Sequence, residues 1–210
     1  NDATAVKFDD TITLDLGVNA NSTDKVTITA TNASGTTTKT YTYTRTDDVK
    51  KGWIKENGKW YYYDQNAKKV TGWNKLDGNW YYLDNSGIMQ TGWNKIDGNW
   101  YFMDINGKMQ TGWIKSDGTW YFMDINGKMQ IGWIKLGNAW YYMNIHGKMQ
   151  TGWQYINNKW YFMDNSGVMQ SSRWIQGIYY VKADGTMAIS EWVDNGKYYV
   201  DAKGVWVSNP

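Results

Sequence analysis

Two patterns of apolar and polar residues divide the chain. Over residues 1–50, apolar residues alternate with polar ones, mostly Thr, and this period of two predicts strands with one buried face. Residues 11–16, 26–30 and 38–45 show the alternation, and residues 32–35, Asn-Ala-Ser-Gly, indicate a hairpin turn between the last two. We therefore expect residues 1–50 to form part of a β-sandwich.

From residue 51 onward the chain is a tandem repeat of 20 residues, and residues 91–110 give one copy, TGWNKIDGNWYFMDINGKMQ. Every full copy keeps a Gly-Trp pair, a second Trp seven positions later and a Tyr directly after that Trp. The six Trp pairs are Trp53 and Trp60, Trp73 and Trp80, Trp93 and Trp100, Trp113 and Trp120, Trp133 and Trp140, and Trp153 and Trp160.

Each copy carries the signal of a β-hairpin, because Asp-Gly or Asn-Gly lies between two extended runs, as at Asp77 and Gly78. A lone hairpin is marginal in water, so neighbouring hairpins must bury each other's rings. Residues 51–210 are therefore expected to form an all-β solenoid of about eight repeats. Ile178 and Lys197 replace the second Trp in residues 171–210, which predicts a degenerate cap.

Composition excludes several function classes. The 210 residues include no Cys and one His, which argues against disulfides, thiolate metal sites, cofactors and most acid–base catalysis. His146 and the recurrent Asp84 occupy turn positions, so no enzyme and no metal site are expected. The net charge of +2 does not indicate a nucleic-acid partner, and no apolar run is long enough for membrane insertion. Since the chain begins at Asn1, we expect a piece of a longer protein, with any catalytic domain elsewhere.

The Trp pairs indicate a binding role. A core tolerates exchange of aromatic residues when volume is kept, and the chain itself exchanges Tyr82 for Phe102, yet all six copies keep both Trp. Several ring faces around one point form a cage for a quaternary ammonium, and Met adds a soft, polarizable wall. Packing of a solenoid core is the alternative explanation.

The pattern GWxxxxGxWYYxxxxGxMxTGW resembles the choline-binding repeats of Gram-positive cell-surface proteins and phage lysins, closely over residues 52–170 and loosely over 171–207. The resemblance implies a left-handed β-hairpin solenoid that binds phosphocholine of teichoic or lipoteichoic acid between successive repeats. It also implies cages built from both Trp of one repeat, a Tyr from the next and often a Met. The run VTITATNASGTTTKTYTYTR resembles the last strands of a bacterial cadherin-like β-sandwich domain.

Carried onto this chain, the resemblance gives four cages and one weaker candidate. The four are Trp73, Trp80 and Tyr101 with Met89; Trp93, Trp100 and Tyr121 with Met109; Trp113, Trp120 and Tyr141 with Met129; and Trp133, Trp140 and Tyr161 with Met149. The weaker candidate is Trp153, Trp160 and Tyr179 with Met169. The neighbouring Tyr or Phe position could replace the chosen Tyr. Lys69, at the Met position of the first repeat, would repel a cation, so a site from Trp53 and Trp60 is not expected.

The function implied is non-covalent anchoring of a secreted protein to the wall or surface of a Gram-positive bacterium, or of its phage. A glucan-binding module is the main alternative, because sugars also stack on exposed rings beside polar groups such as those of Asn74 and Gln90. A structural or adhesive spacer is the third. The oligomeric state is expected to be a monomer or a ligand-linked dimer.

Overall fold

The computed structural model describes residues 23–32, 34–44 and 50–208. All regular elements of these residues are β-strands. In chain order they are β1 Thr23–Asn32, β2 Gly35–Thr44, β3 Gly52–Glu56, β4 Lys59–Tyr63, β5 Gly72–Leu76, β6 Asn79–Leu83, β7 Gly92–Ile96, β8 Asn99–Met103, β9 Gly112–Ser116, β10 Thr119–Met123, β11 Gly132–Leu136, β12 Ala139–Met143, β13 Gly152–Ile156, β14 Lys159–Met163, β15 Arg173–Ile175, β16 Tyr179–Val181, β17 Glu191–Val193, β18 Tyr198–Val200 and β19 Trp206–Val207. No helix long and apolar enough to span a membrane occurs in this part of the chain.

The strands pair as consecutive antiparallel hairpins, and β19 adds a third strand to the last one. The turn between β5 and β6 explains why the sequence repeats Asp-Gly, because Asp77 and Gly78 have φ angles of 49° and 80°. Two consecutive positive φ angles are typical of a type I′ turn, whose twist matches that of the strands. In the fifth repeat Gly137, with φ of 58°, comes first in the turn instead.

A second loop leads from each hairpin to the next, and its recurrent Asp has a structural role. The Asp84 carboxylate accepts backbone hydrogen bonds from Ser86 at 2.8 Å and Ile88 at 2.9 Å. The Gly87 N–H donates to the Asp84 carbonyl at 2.8 Å. Such side-chain-to-backbone bonds stabilise a tight turn, which accounts for the Asp at this position in five of the six full repeats and for Asn144 in the fifth.

Successive hairpins are joined by one repeated backbone hydrogen bond. The Met89 N–H donates to the Trp60 carbonyl at 2.8 Å, and Met109 bonds to Trp80 in the same way. The later members of this series are Met129 to Trp100, Met149 to Trp120, Met169 to Trp140 and Met187 to Trp160, at 2.8–2.9 Å. The Met of each repeat is therefore fixed beside the second Trp of the repeat before it.

The core runs along the array as a row of side chains from the end of each second strand. Their exposed fraction is 0% for Leu83, Met103, Met123, Met143, Met163, Val181 and Val200. These positions alternate with the half-buried ring of the preceding residue, as expected for the period of two in a strand. The row places the aromatic side chains of the other strand face at the surface.

The N-terminal expectations are met only where residues are described. β1 includes residues 26–30 and pairs with β2 in a register that sets Val26 opposite Tyr41. The predicted strand at 11–16 lies outside the described residues, and the β-sandwich and the boundary at residue 50 stay predictions. In residues 171–210 the hairpin strands shorten from five residues to three, and a cap over this range also stays a prediction.

The buried row predicts that shortening a side chain to Ala lowers the free energy of unfolding much more inside the row than outside it. Met123→Ala removes a fully buried side chain and should lower the free energy of unfolding by about 2–5 kcal/mol. Ile125→Ala, two residues away at 90% exposure, should change it by less than about 0.5 kcal/mol. Urea unfolding of both variants checks this, and equal losses of stability would contradict a core that includes Met123 and excludes Ile125.

Candidate ligand-binding site

In five successive repeats, two Trp side chains form perpendicular walls. In the β5–β6 hairpin, Trp73 lies opposite Tyr82 in the register, and Trp80 is two residues from Tyr82, so all three rings share one face. The Trp73 and Trp80 ring centroids are 6.4 Å apart with an interplanar angle of 85°. The same pair in the next four repeats has centroids 6.3–6.5 Å apart and angles of 85–88°. Trp80 remains 42% exposed, which leaves its ring accessible to a ligand.

The third wall is the first Tyr of the following repeat. Tyr101 lies on the opposite hairpin face from Trp100, and its ring centroid is 4.8 Å from that of Trp73. Equivalent contacts at 4.7–5.3 Å join Trp53 to Tyr81, Trp93 to Tyr121, Trp113 to Tyr141, Trp133 to Tyr161 and Trp153 to Tyr179. The second Tyr or Phe, such as Tyr82, packs on the Trp of its own repeat. Each hairpin therefore contributes opposite faces to two successive sites.

These walls enclose open cavities, which we name after their first Trp. The Trp53 cavity has a volume of about 280 Å³, the Trp73 cavity about 340 Å³, the Trp93 cavity about 580 Å³ and the Trp133 cavity about 300 Å³. The two Trp, the Tyr and a Met line each one, and the Met is Met89, Met109, Met129 and Met169 in that order.

The structure places a different Met from the predicted one in the Trp73, Trp93 and Trp133 cavities. The Trp pairs and Tyr side chains come together as grouped from the sequence, but Met89 lies in the Trp53 cavity and not in the Trp73 cavity. The cause is the backbone bond that joins each Met to the Trp of the preceding repeat. The lining Met is Met109 instead of Met89 for Trp73, Met129 instead of Met109 for Trp93, and Met169 instead of Met149 for Trp133. The same backbone bond joins Met149 to Trp120 and Met187 to Trp160, so we expect these Met, instead of Met129 and Met169, beside Trp113 and Trp153.

The same shift accounts for a cavity that the sequence analysis did not expect. Trp53 and Trp60 form a cavity with Tyr81 and Met89, and Lys69 is not among its lining residues. Lys69 instead lies at the start of the array, with its ammonium 3.5 Å from the centroid of the Tyr61 ring. Lys69 therefore does not place its positive charge in the lining of the Trp53 cavity.

A third repeat also lines these cavities, which the sequence analysis missed. Ile105 and Asn106 reach the Trp53 cavity, and Ile125 and Asn126 reach the Trp73 cavity. Three Ile at a turn position with exposed fractions of 81–90% are unusual, because turn positions favour polar residues. That anomaly in the sequence was a usable signal of a role at the cavity rim.

The lining is apolar and partly shielded from water. Burial raises the pKa of the Tyr81, Tyr101 and Tyr161 hydroxyls, with smaller contributions from nearby Asp carboxylates. Each hydroxyl therefore stays neutral at physiological pH, and the ring offers its face without competing charge. No group of three or more potential metal ligands occurs in the described parts of the chain.

Comparison with known proteins decides the family. A family model described as a choline-binding repeat matches residues 50–90, 90–131 and 130–174, and a second model of the same description matches 168–206. The chain belongs to the choline-binding repeat family. No curated protein matches the chain in sequence. The all-β solenoid of hairpins predicted above is confirmed.

Solved structures of choline-binding proteins have the same fold. Choline-binding protein F of Streptococcus pneumoniae, solved with a peptidoglycan analogue, is 34% identical over 90% of this chain and 72% of its own, with a TM-score of 0.74. CbpJ of S. pneumoniae TIGR4 is 31% identical over 87% and 70%, with a TM-score of 0.73. The choline-binding domain of CbpL from S. pneumoniae is 34% identical over 77% and 99%, with a TM-score of 0.54. These matches place the solenoid among choline-binding modules.

The corrected Met pairing in these choline-binding repeats predicts where a glycine substitution acts. Gly98 and Gly107 have φ angles of 80° and 79°, so Ala at either costs about 1–2 kcal/mol of backbone strain. A Cβ at Gly98 meets nothing within 4 Å, whereas one at Gly107 overlaps the Met89 sulfur. Gly107→Ala should therefore displace Met89 and weaken ligand binding in the Trp53 cavity, with Gly98→Ala as the matched control.

Ligand titration followed by the indole N–H signals of Trp60 and Trp80 in NMR measures this effect. The Trp60 signal should saturate at higher ligand concentration in Gly107→Ala than in Gly98→Ala, and the Trp80 signal should not differ. A larger effect at Trp80 would instead support the pairing of Met89 with Trp73.

A cluster of charged side chains lies in the first choline-binding repeat, around Glu56. The Glu56 carboxylate accepts hydrogen bonds from Lys50, from the Tyr63 hydroxyl at 2.8 Å and from Lys69 at 3.0 Å. These bonds lower the Glu56 pKa from 4.5 to about 2. Because the folded-state pKa is depressed, the stabilisation is present above about pH 4.5 and is lost as the pH falls towards 2.

Removing one donor should raise that pKa. In Lys69→Met, the midpoint for the Glu56 carboxyl carbon in an NMR pH titration should move up from about 2 towards 4.5. Lys68→Met removes the same charge one residue away and should leave the midpoint unchanged. A parent midpoint near 4.5 would show that the cluster does not stabilise the carboxylate.

Proposed function

We propose that the chain is a non-covalent anchoring module that holds its parent protein to choline-bearing polymers of a Gram-positive cell wall or cell surface. The observation that carries the proposal is the repeated cavity with two perpendicular Trp rings, a Tyr ring and a Met thioether. The ligand is the choline group of teichoic or lipoteichoic acid, and the parent protein is secreted. Any catalytic activity of that parent belongs to another part of it.

The chemistry of the lining suits a quaternary ammonium. Such a cation has no N–H donor, so it gains nothing from acceptors, and its methyl groups favour apolar contact. Ring faces supply both attraction to the positive charge and apolar surface, worth about 0.5–2 kcal/mol for each ring. Met109 completes the Trp73 cavity with a polarizable sulfur.

Intrachain cations already use ring faces of these types. The Lys69 ammonium is 3.5 Å from the centroid of Tyr61, which occupies the position of a cavity Tyr in the first repeat. Lys115 and Lys135 place ammonium groups 5.7 and 5.6 Å from the centroids of Trp120 and Trp140. The rings of the repeat are therefore oriented so that cations reach them.

A sugar would require different partners. Glucan recognition combines ring stacking with several hydrogen bonds to sugar hydroxyl groups. The side-chain amides of Asn74 and Gln90, which could make such bonds, already donate hydrogen bonds within the protein. Asn74 donates to the backbone carbonyls of Thr71 and Gly72, and Gln90 donates to Asp84 and to the Ile88 carbonyl. This use of the amides favours choline over glucan as the ligand.

Repetition converts modest affinity into anchoring. Several cavities on one rigid array face a polymer that presents many choline groups, so each later contact forms at a high effective concentration. A monomer satisfies this scheme, and a polymer bridging two copies would give a ligand-linked dimer. We therefore expect attachment to walls to be much tighter than binding of free choline.

Calorimetric titration with choline chloride tests the proposal, with tetramethylammonium and a glucan oligosaccharide as comparison ligands. Both cations should bind saturably and the glucan should not. Trp80→Ala should remove or weaken by about 2- to 30-fold one site among several, because it deletes one ring face. Tyr82→Phe is the control, since Phe occupies the same position at Phe102 and the ring contact with Trp73 is kept.

Two outcomes would contradict the proposal. Binding of glucan without binding of either cation would make the cavities sugar-stacking platforms. Absence of any response to choline at millimolar concentration, with the fold intact by circular dichroism, would mean that the rings serve only as solenoid packing.

A further inference from the structure

One cavity differs from the others in size and in charge. The Trp93 cavity has a volume of about 580 Å³, against about 280–340 Å³ for the other three. Its lining includes the two basic side chains His146 and Lys148 from the third repeat. The neighbouring Trp73 cavity has the neutral Asn126 at the place of His146.

The difference comes from two substitutions in one loop. Residues 124–128 read DINGK and residues 144–148 read NIHGK, so Asn144 replaces an Asp and His146 replaces an Asn. Asn144 keeps the turn, because its side-chain oxygen accepts the N–H groups of His146 at 2.9 Å and Lys148 at 3.1 Å, as Asp124 does in its own loop. The loop thus loses a carboxylate without losing its fold.

Loss of the carboxylate leaves a net positive rim. In residues 124–128, the charge of Lys128 is balanced by Asp124, and the Lys is half-buried. In residues 144–148 no carboxylate balances Lys148, which is exposed and lines the cavity. His146 adds an imidazole N–H that donates a hydrogen bond even when the ring is neutral.

We infer that the Trp93 cavity recognises choline together with the phosphate esterified to its hydroxyl, and that His146 and Lys148 bind that phosphate. The inference rests on the proposed function. Only two carbons separate the choline hydroxyl from the ammonium, so a phosphate on it lies at the mouth of the cage that holds the cation. The extra volume accommodates the phosphate, and the basic rim supplies charge-assisted hydrogen bonds to it.

The Trp133 cavity gives an internal contrast. Asp184 lines it, and the carboxylate is held by the Thr186 hydroxyl at 2.6 Å and the Thr186 N–H at 3.0 Å. A carboxylate at the rim attracts the ammonium and repels a phosphate. The ratio of phosphocholine to choline affinity should therefore fall in the order Trp93, Trp73, Trp133 cavity.

The test uses a reciprocal exchange of the two loops in the full chain. Asn144→Asp with His146→Asn converts residues 144–148 to DINGK, and Asp124→Asn with Asn126→His converts residues 124–128 to NIHGK. Indole N–H signals of Trp100 and Trp80, assigned with single Trp→Phe variants, report the Trp93 and Trp73 cavities separately in NMR titrations. The probes are choline, phosphocholine, glycerophosphocholine as a diester, and inorganic phosphate alone.

In the parent chain, phosphocholine should bind the Trp93 cavity about threefold to tenfold more tightly than choline at low ionic strength, and the preference should shrink in high salt. The first exchange should lower the ratio of phosphocholine to choline affinity in the Trp93 cavity to that of the parent Trp73 cavity, and the second should raise this ratio in the Trp73 cavity. A preference shared by glycerophosphocholine indicates recognition of the polymer-linked diester, whereas one confined to phosphocholine indicates the free monoester.

The failures are distinguishable. If neither indole signal responds to choline, the proposed function is wrong. If both respond to choline but the phosphocholine preference is equal in the two cavities, or does not follow the exchanged loop, the inference is wrong and choline binding stands. Saturable binding of inorganic phosphate alone at the Trp100 signal would also overturn it, because the phosphate site would then not depend on the cage.

Discussion

The geometry of the array depends on one backbone hydrogen bond that recurs in each repeat. The bond from the Met109 N–H to the Trp80 carbonyl fixes the offset between neighbouring hairpins. That offset brings Tyr101 against Trp73 and places the Met109 side chain in the same cavity. Tyr101 and Met103 are two residues apart and so share a strand face, and a slip of one residue would move both to the opposite face. The cavity would then lose its Tyr, and the fully buried Met103 would be exposed. Ligand site and solenoid core therefore depend on the same register.

Features that depend on local sequence were predictable. Asp77 and Gly78 identify a turn from two residues, and both have the positive φ angles that a type I′ turn requires. The pairing of Met89 was wrong for a physical reason. A strict period of 20 is satisfied equally if the Met joins its own Trp pair or the preceding one, and only the backbone bond to Trp60 distinguishes the two. Periodicity establishes that a contact recurs, but it does not establish between which repeats.

Contacts that involve three successive repeats could not be predicted from the sequence. Whether Ile125 reaches the Trp73 cavity depends on the rotation between successive hairpins, and no local pattern encodes that angle. The sequence did contain an indirect sign, since an Ile at 90% exposure in a tight turn lacks a structural reason. His146 is a second example, because comparison of the repeats identifies it only as a substitution at a turn position. Its position at a cavity rim makes it a candidate for specificity.

Different residues of one repeat line different cavities, and this explains how the ligand specificity of the cavities can vary along the array. The repeat at residues 91–110 contributes Trp93 and Trp100 to its own cavity, Tyr101 and Met109 to the preceding one, and Ile105 to the one before that. A change in one repeat therefore affects at most three adjacent cavities, one more than contacts between nearest-neighbour repeats alone would give. The loop that shapes the rim is separate from the buried row and from the bond between repeats. Rim residues can thus change from cavity to cavity while the fold is maintained, so sites of unequal specificity cost the solenoid little stability.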